Sequence, residues 1–280
     1  MTLYGVFQVF AFVLGLCLGS FLNVCIARMP EDRSVISPRS RCPHCGHPIR
    51  AIDNIPLLSW LLLGARCRDC HQPISVAYPL VEASTGLLVL LVFREVVPGP
   101  SALDGPHLLA FAWYTLFVTA LAGAALVDAR HHIVPDEFSL WMIPVGVAGA
   151  LGLGFLGPDL APTWKQSLVG AFAGGAFLMA VNAAYWLVRR EVGVWPGDVK
   201  LLAMIGAFLG AFPALILVLI LGSSIGAIVG IGLVLATRHG GLKMALPFGP
   251  FLALGGIATL LFGEPVLRRW TEAFLLLLPT

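Results

Sequence analysis

Long apolar runs separated by short polar segments make up most of this chain. The first run, residues 4–26, holds 23 residues without a charge, and about 20 are enough to cross a bilayer as a helix. Seven more runs follow, at residues 76–97, 107–127, 138–157, 167–188, 199–211, 213–236 and 247–262. The pattern therefore predicts an all-α polytopic membrane protein with about eight transmembrane helices.

One long polar stretch follows the first run and divides the chain into three parts. We expect a first transmembrane helix at 1–27, a small loop domain at 28–75 and a membrane core of seven helices at 76–280. No basic region precedes the first run and no small-residue cleavage site follows it. It is therefore predicted to be a retained anchor rather than a signal peptide.

Composition agrees with a membrane protein. Hydrophobic residues make up 58% of the chain and charged residues only 11%, whereas charged residues are about a quarter of an ordinary soluble domain. An ordinary soluble protein is therefore excluded. We expect membrane lipids among the partners and no nucleic acid.

Basic residues predict how the helices cross the membrane. The stretch 28–75 contains seven arginines, which places this loop domain in the cytoplasm and the amino terminus outside. Five further basic residues fall on loops of the same predicted side: Arg130, Arg189, Arg190, Arg238 and Lys243. Four fall on the opposite side and are outnumbered: Arg94, Lys165, Arg268 and Arg269.

Two C-x-x-C pairs lie on the polar stretch, Cys42 with Cys45 and Cys67 with Cys70. Each pair can present two thiolates from a tight turn, and two pairs complete the tetrahedral four-thiolate site that Zn²⁺ favours. A redox pair or a loop disulfide is the alternative, although cytoplasmic cysteines bind metal more often than they form disulfides. We predict one structural zinc ion, with the flanking histidines outside its ligand set.

Two aspartates stand at the ends of apolar runs. Asp128 follows the run that ends at Val127, Asp198 precedes the run that begins at Val199, and the alternation of spans puts both on the cytoplasmic side. Each alone could be a helix-end residue wetted by the interface. Two carboxyl groups in one site, however, can hold one proton, so that one acts as base on a water while the other donates a hydrogen bond to a scissile carbonyl. The pair therefore indicates aspartic-protease chemistry.

Other classes of membrane protein fit these residues less well. The sequence contains no H-E-x-x-H, the motif of a large class of zinc proteases. A transporter would place its carboxylates at the bilayer midplane and would often have repeated halves, and the sequence indicates neither. A non-catalytic scaffold stapled by zinc stays open, and it would tolerate loss of either aspartate.

Eight specific segments follow one another along the chain: Gly19-Ser-Phe-Leu-Asn-Val24, Arg41-Cys-Pro-His-Cys45, Ile55-Pro-Leu-Leu-Ser-Trp60, Arg66-Cys-Arg-Asp-Cys70, Tyr78-Pro-Leu-Val-Glu82, Asp128-Ala-Arg-His-His-Ile-Val-Pro-Asp136, Pro196-Gly-Asp-Val-Lys200 and Leu246-Pro-Phe-Gly-Pro-Phe251. In this order they resemble the motifs of the prepilin peptidases, also called type IV leader peptidases. The resemblance extends over nearly the whole chain.

The resemblance implies a multi-pass aspartic endopeptidase of the bacterial inner membrane. Such an enzyme removes the short basic leader from type IV prepilins or type II secretion pseudopilins at the cytoplasmic membrane face. It also implies N-methylation of the new N-terminal residue with S-adenosylmethionine, and a peptidase without this second activity is the alternative. The S-adenosylmethionine site, the individual substrate and the oligomeric state do not follow from the resemblance.

By position, the resemblance also implies roles for individual residues. The catalytic pair corresponds to Asp128 and Asp198, and the zinc ligands correspond to Cys42, Cys45, Cys67 and Cys70. Asp136 matches a further motif position, at which we expect a supporting rather than a catalytic residue.

One position departs from the G-x-G-D motif of that family. The first glycine of the motif is replaced by Trp195, and Pro196 follows it. Proline restricts φ at its own position, so the turn before Asp198 is predicted to be bulkier than in other members. Gly197 keeps the second glycine.

Pairs of glycines at four-residue spacing are typical of close contacts between membrane helices. Gly15 with Gly19, and Gly170 with Gly174, have this spacing. We expect each pair to face a neighbouring helix.

Overall fold

The computed structural model describes residues 2–237 and 246–277, which fold mainly into helices. The α-helices of this part are α1 (Leu3–Arg28), α2 (Leu58–Leu62), α3 (Ala77–Val96), α4 (Gly105–His131), α5 (Met142–Gly154), α6 (Trp164–Arg189), α7 (Pro196–Leu209), α8 (Ala214–Thr237) and α9 (Gly249–Leu277). Short 3₁₀ turns cover Met29–Glu31, Ala51–Asn54, Pro100–Ala102 and Asp136–Phe138. Arg238 and Lys243, which entered the prediction of orientation, lie outside the described residues.

Within the described residues, five helices are long and apolar enough to cross a membrane. They cover Leu3–Glu31, Gly105–His131, Asp136–Gly154, Trp164–Arg189 and Ala214–Ala236. The prediction of about eight spans is therefore supported for five. Helix α7 has 14 residues, so it rises about 21 Å, less than the roughly 30 Å of a hydrocarbon core.

The remaining two predicted spans differ from the five for other reasons. Helix α3 has 20 residues, but it carries Glu82, Arg94 and Glu95. Helix α9 contributes a shorter apolar stretch, Gly249–Gly263, among the residues whose side chains the structure describes. These two helices therefore fall outside the set of five for reasons of charge and apolar length.

The chain forms two compact units, and the first comprises Met1–Thr119. In this unit α1 packs along α3. A Cβ on Gly15 would lie 2.7 Å from Cα of Gly86, and a Cβ on Gly19 would lie 2.7 Å from Cα of Glu82. The two helices can approach this closely only because both positions lack a side chain, which confirms the predicted contact of Gly15 and Gly19.

The second unit comprises Ala120–Thr280 and is built around α7. Seven of the eight residues from Leu201 to Phe208 are apolar and buried, and the eighth, Gly206, is buried against α6. A Cβ on Gly170 would lie 2.1 Å from the Gly206 carbonyl oxygen, and one on Gly174 would lie 2.5 Å from that of Leu202. The predicted glycine contact on α6 is therefore confirmed, and it positions the part of α7 from Leu202 to Gly206.

Helix α4 passes from the first unit into the second at Ala120. Its last turns, which contain Asp128, belong to the second unit. The three-part division at residues 27 and 75 stays a prediction.

Candidate active site and metal centre

Asp128 and Asp198 both belong to the second unit and both are buried. Asp128 lies in the last turns of α4 and is 6% exposed, and Asp198 lies in the first turn of α7 and is 5% exposed. The two segments that carry them meet: a Cβ on Gly197, the residue before Asp198, would lie 2.9 Å from Cβ of Val134, six residues after Asp128. The structure therefore brings together two acidic side chains that are far apart in the sequence.

Gly249, the first residue of α9, forms one wall of this site. A Cβ on Gly249 would lie 2.5 Å from Oδ2 of Asp128. This oxygen is buried and accepts no hydrogen bond from the described residues. A buried acceptor without a partner is costly, so Oδ2 is suited to receive a hydrogen bond from a water or a substrate.

The segment that leads into α7 is held from two sides. The side-chain oxygen of Asn182 on α6 accepts hydrogen bonds from the backbone N–H groups of Gly193 (3.0 Å) and Val194 (3.1 Å). On the other side, a Cβ on Gly197 would lie 2.9 Å from Cβ of Val134. These contacts determine where α7 begins and therefore where Asp198 lies.

Trp195 occupies the position at which the motif has a glycine. Its backbone is extended, with φ −77° and ψ 148°, and 70% of the residue is exposed. A backbone position with this φ does not require glycine, and the indole of Trp195 points away from the buried turn. The large side chain of Trp195 is therefore accommodated outside the buried turn that leads to Asp198.

Asp136 and Lys200 form an ion pair beside the aspartate pair. Asp136 begins a 3₁₀ turn that is anchored by Phe138, against whose ring Gly123 of α4 packs. Lys200 lies two residues after Asp198 on α7. The pair therefore links the segment after α4 to the helix that carries Asp198.

The four cysteines of the C-x-x-C pairs form one cluster in the first unit. Their sulfur atoms all lie within 4.8 Å of one another, and Sγ of Cys42 is 3.8 Å from Sγ of Cys70. No histidine belongs to the cluster among the described residues. The geometry and the donor set fit a metal ion held by four thiolates.

Each C-x-x-C pair is held by the same hydrogen bonds. The N–H of Cys42 donates to the His47 carbonyl and that of Gly46 to the Cys42 carbonyl, both at 2.9 Å. The second turn repeats this arrangement from Cys67 to Gln72, and its His71 takes a positive φ of 57°, as Gly46 does with 72°. Two equivalent turns therefore present the four thiols.

The cysteine thiols do not titrate alike. A backbone N–H of Cys45 holds the pKa of Cys42 down at about 7, against the opposing effect of burial. At Cys70 a backbone N–H of Gln72 acts in the same lowering direction, but burial and the three neighbouring cysteines together raise its pKa to about 12. A cation at the centre of the cluster would allow all four thiolates to form at neutral pH.

Sequence reasoning singled out both aspartates and all four cysteines, but it missed two neighbours of the aspartates. Gly249 lies in the motif from Leu246 to Phe251, yet nothing in that motif indicates which side chain Gly249 contacts. Lys200 lies in the Asp198 motif, and its charge in an apolar run is the available signal for an acidic partner.

Comparison with known proteins gives two matches to family models. Residues 13–96 match the model of the bacterial peptidase A24 N-terminal domain, and residues 115–231 match that of the type IV leader peptidase family. No solved structure matches the chain significantly.

Three similar curated proteins carry the name prepilin leader peptidase/N-methyltransferase. The protein from Aeromonas hydrophila is 38% identical over 94% of this chain and 93% of its own length. The protein from Myxococcus xanthus is 43% identical over 84% of this chain and 65% of its own length. The protein from Pseudomonas aeruginosa is 34% identical over 93% of this chain and 92% of its own length.

Proposed function

This chain belongs to the type IV leader peptidase family, and from that premise we propose that it removes the leader from prepilins or pseudopilins and methylates the new amino terminus. The resemblance of its motifs to the prepilin peptidases is confirmed, and the chain is an enzyme of this family. The observation that carries the proposed peptidase mechanism is the burial of Asp128 and Asp198 in one site at two helix ends.

In the proposed peptide cleavage, the two aspartates act as a general acid–base pair. Two adjacent carboxyl groups share one proton, because two like charges at short distance are unfavourable. The ionised member takes a proton from a water, which attacks the scissile carbonyl, while the protonated member donates a hydrogen bond to the carbonyl oxygen. The unpartnered Oδ2 of Asp128 is available for the water or the carbonyl.

The four-cysteine cluster is proposed to hold one structural Zn²⁺ through Cys42, Cys45, Cys67 and Cys70. Four thiolates complete the coordination shell and leave no position for a reactive water, whereas a catalytic zinc keeps one open. Since the loop around the cluster has little core of its own, its folding would be coupled to metal binding.

We further propose a multi-pass protein of the bacterial inner membrane with about eight spans and its amino terminus outside. The seven arginines of residues 28–75 support a cytoplasmic position for the cysteine cluster and the aspartate pair. A substrate with a basic leader in the cytoplasm and an apolar helix in the bilayer would present its cleavage point at that membrane face. Substrates of both type IV pilus and type II secretion systems have the required chemistry.

Leader release tests the proposal directly. The purified full-length protein in detergent micelles is incubated with a prepilin, and the product is analysed by mass spectrometry for loss of the leader. With S-adenosylmethionine added, a mass gain of one methyl group on the mature amino terminus is expected. Absence of leader release by a folded, metal-loaded preparation across type IV prepilins and type II pseudopilins would favour a scaffold or a transporter.

A further inference from the structure

Trp195 places a large apolar side chain beside the aspartate pair, at the position where the motif has a glycine. It lies three positions before Asp198, in the same unit, and 70% of the residue is exposed. A single exposed apolar side chain is common on protein surfaces and says little by itself. What distinguishes Trp195 is how firmly its backbone is held and which residue stands close to it.

The backbone of Trp195 is fixed to the helix that carries Asp198. Its carbonyl accepts a hydrogen bond of 3.1 Å from the N–H of Asp198, so Trp195 caps the first turn of α7. Just before it, the N–H groups of Gly193 and Val194 donate to Asn182. A Cβ on Gly193 would also lie 2.6 Å from a ring carbon of Tyr185 on α6. The segment is therefore held on both sides, and Trp195 keeps a defined position relative to Asp198.

The indole of Trp195, in contrast, is unengaged. In the part of the chain that the structure describes, it donates no hydrogen bond and stacks on no ring or cation. The two cations closest to it in sequence have other partners: the Arg190 guanidinium lies 4.5 Å from the ring centroid of Trp186, and Lys200 pairs with Asp136. The indole is therefore available to a molecule outside the chain.

A second exposed apolar side chain, Ile133, lies where the segment after α4 meets the segment before α7. The meeting point is the contact between Val134 and Gly197, where a Cβ on Gly197 would lie 2.9 Å from Cβ of Val134. Ile133 directly precedes Val134 and is 45% exposed, and Trp195 lies two positions before Gly197. We call Ile133 and Trp195 the apolar rim. It flanks the point at which the two aspartate-bearing segments come together.

We propose that the apolar rim binds the apolar segment that directly follows the cleavage point of the substrate, with Trp195 as a specificity-determining residue. The inference rests on the proposed function and deepens it. Such a substrate has a basic leader before the cleavage point and an apolar helix after it. Ile133 offers nothing to a lysine or an arginine, whereas both rim residues gain from burial against an apolar segment. The rim therefore matches the side of the substrate that follows the cut.

Anchoring to the membrane is the other use that an exposed tryptophan can have, because tryptophan is enriched at membrane–water interfaces. An anchor needs only the right depth in the interface. Trp195, however, is tied through its own carbonyl to the N–H of Asp198. A contact that positions a scissile bond needs such a fixed relation to the reacting groups. The observations therefore favour the substrate over the lipid.

The kinetics of Trp195→Ala test the assignment in the full-length, metal-loaded protein, held in nanodiscs of phosphatidylethanolamine and phosphatidylglycerol. A φ of −77° is open to alanine and the capping carbonyl stays, so α7 should still begin at the same residue. We expect KM for leader release to rise about fivefold or more while kcat stays within about twofold, because a binding contact is lost. Trp195→Phe should recover most of the affinity, since it keeps an aromatic surface.

Trp164→Ala is the matched control. Trp164 is also a partly exposed tryptophan, but it begins α6, at the opposite end of that helix from Asn182, and its ring faces Lys165. Its KM should stay within about twofold of wild type, as for most surface substitutions. A pilin whose first apolar residue after the cleavage point is changed to alanine separates binding from a structural role. It should raise KM for the wild type, but it should not raise KM for Trp195→Ala any further.

Contact is tested by a photoreactive p-benzoylphenylalanine placed at position 195. Irradiation with a prepilin should cross-link the first residues after the cleavage point. Cross-links to phospholipid alone would identify an interfacial anchor and overturn the assignment, and cross-links to the leader would overturn it in favour of the other side of the substrate.

The outcomes for the inference and for the proposed function are distinct. Normal cleavage by the wild type with an unchanged KM in Trp195→Ala, or additive losses with the altered pilin, would overturn the role of Trp195 and leave the proposed function intact. If the metal-loaded wild type releases no leader from any prepilin or pseudopilin, the proposed function fails, and this inference fails with it.

Discussion

The cysteine cluster and the aspartate pair contrast in how the chain builds them. The first and last of the four cysteines are 28 positions apart, and the four lie on two turns with the same backbone hydrogen bonds, so each half of the cluster is formed locally. The aspartates come from α4 and α7, and contacts between distant segments bring them together, with Gly197 against Val134 and Gly249 against Asp128. The fold of the cysteine cluster should therefore depend on its metal. The geometry of the aspartate pair should depend on the volume of the side chains where distant segments meet.

The largest effect is expected from the aspartates themselves. Asp128→Asn and Asp198→Asn should each lower leader cleavage by about 10²-fold or more, because neither amide can take part in the proton exchange. Bound metal and membrane insertion should be unchanged, since the amide is nearly isosteric. Cleavage rate, metal content and yield in the membrane fraction are measured on one preparation, and a folded variant that cleaves at the normal rate would refute the pair.

Removing a cysteine should act on the other region. Cys42→Ser or Cys67→Ser is expected to release the metal and to disorder residues 42–70, because the loop is held by two turns around the cluster rather than by a core. Methyl incorporation should fall at least as much as leader release. Metal analysis and hydrogen exchange of the loop check this.

The comparison can be sharpened further by chelation. If the loop stays folded, leader release should resist a chelator, because the proposed peptide cleavage uses no metal. Full metal occupancy in both serine variants would refute the four-cysteine assignment. Strong inhibition of cleavage with the fold intact would favour a metalloprotease.

An intermediate effect is expected at the wall of the aspartate pair. Gly249→Ala would place a Cβ 2.5 Å from Oδ2 of Asp128, so the carboxyl group or α9 must move. We expect kcat for leader release to fall about tenfold, since catalytic groups tolerate displacements of well under 1 Å. Gly152→Ala on α5 is the control, because a Cβ there meets no atom within 4 Å. Equal activity of the two variants would show that Gly249 does not shape the site.

The ion pair of Asp136 with Lys200 should have a smaller effect, through the position of Asp198. Asp136→Asn and Lys200→Gln are each expected to lower kcat by about threefold to tenfold with little change in KM, a loss in the range of a partly buried pair. The double variant should lose no more than either single variant, because the interaction can be removed only once. Additive losses, or a rise in KM alone, would instead indicate that the two residues act separately on the substrate.

The smallest effect is expected at the exposed ion pair beside the cysteine cluster. The side-chain hydrogen bonds of Arg68 hold the pKa of Asp53 below its ordinary value of 3.8. Its contribution to stability is therefore present above that pH and is lost only as the pH falls through the lower folded pKa. Asp53→Asn should lower the melting temperature of the metal-loaded protein by about 1–2 °C, because Arg68 is half in solvent.

The sign of that effect can be checked by pH and by salt. Between pH 7 and pH 5 the difference from wild type should stay constant, since Asp53 does not titrate there. It should shrink at high salt, which screens exposed charges. A difference that grows as the pH falls from 7 to 5 would contradict the lowered pKa of Asp53.

The lengths of the apolar runs predicted where the helices lie along the chain. They predicted less well how many of these helices are long enough to cross a membrane. The predicted runs at 167–188 and 213–236 correspond to α6 and α8, which are long enough to span. The run at 199–211 corresponds to α7, which has only 14 residues and is buried throughout 201–208. A short apolar run looks the same in a sequence whether lipid or protein surrounds it, and only the packing distinguishes the two.

The sequence by itself determined the four cysteines of the cluster, because two C-x-x-C turns are local structures whose hydrogen bonds, from Cys42 to His47 and from Cys67 to Gln72, join residues at most five apart. It also indicated both aspartates, because an acidic residue beside an apolar run is unfavourable unless it has a role. Only the tertiary structure decided that Gly249 faces Asp128, that Lys200 pairs with Asp136 and that Trp195 points outward. These contacts depend on which faces of distant helices meet. The volumes of the side chains at the helix crossings determine those faces, and a local sequence pattern does not contain that information.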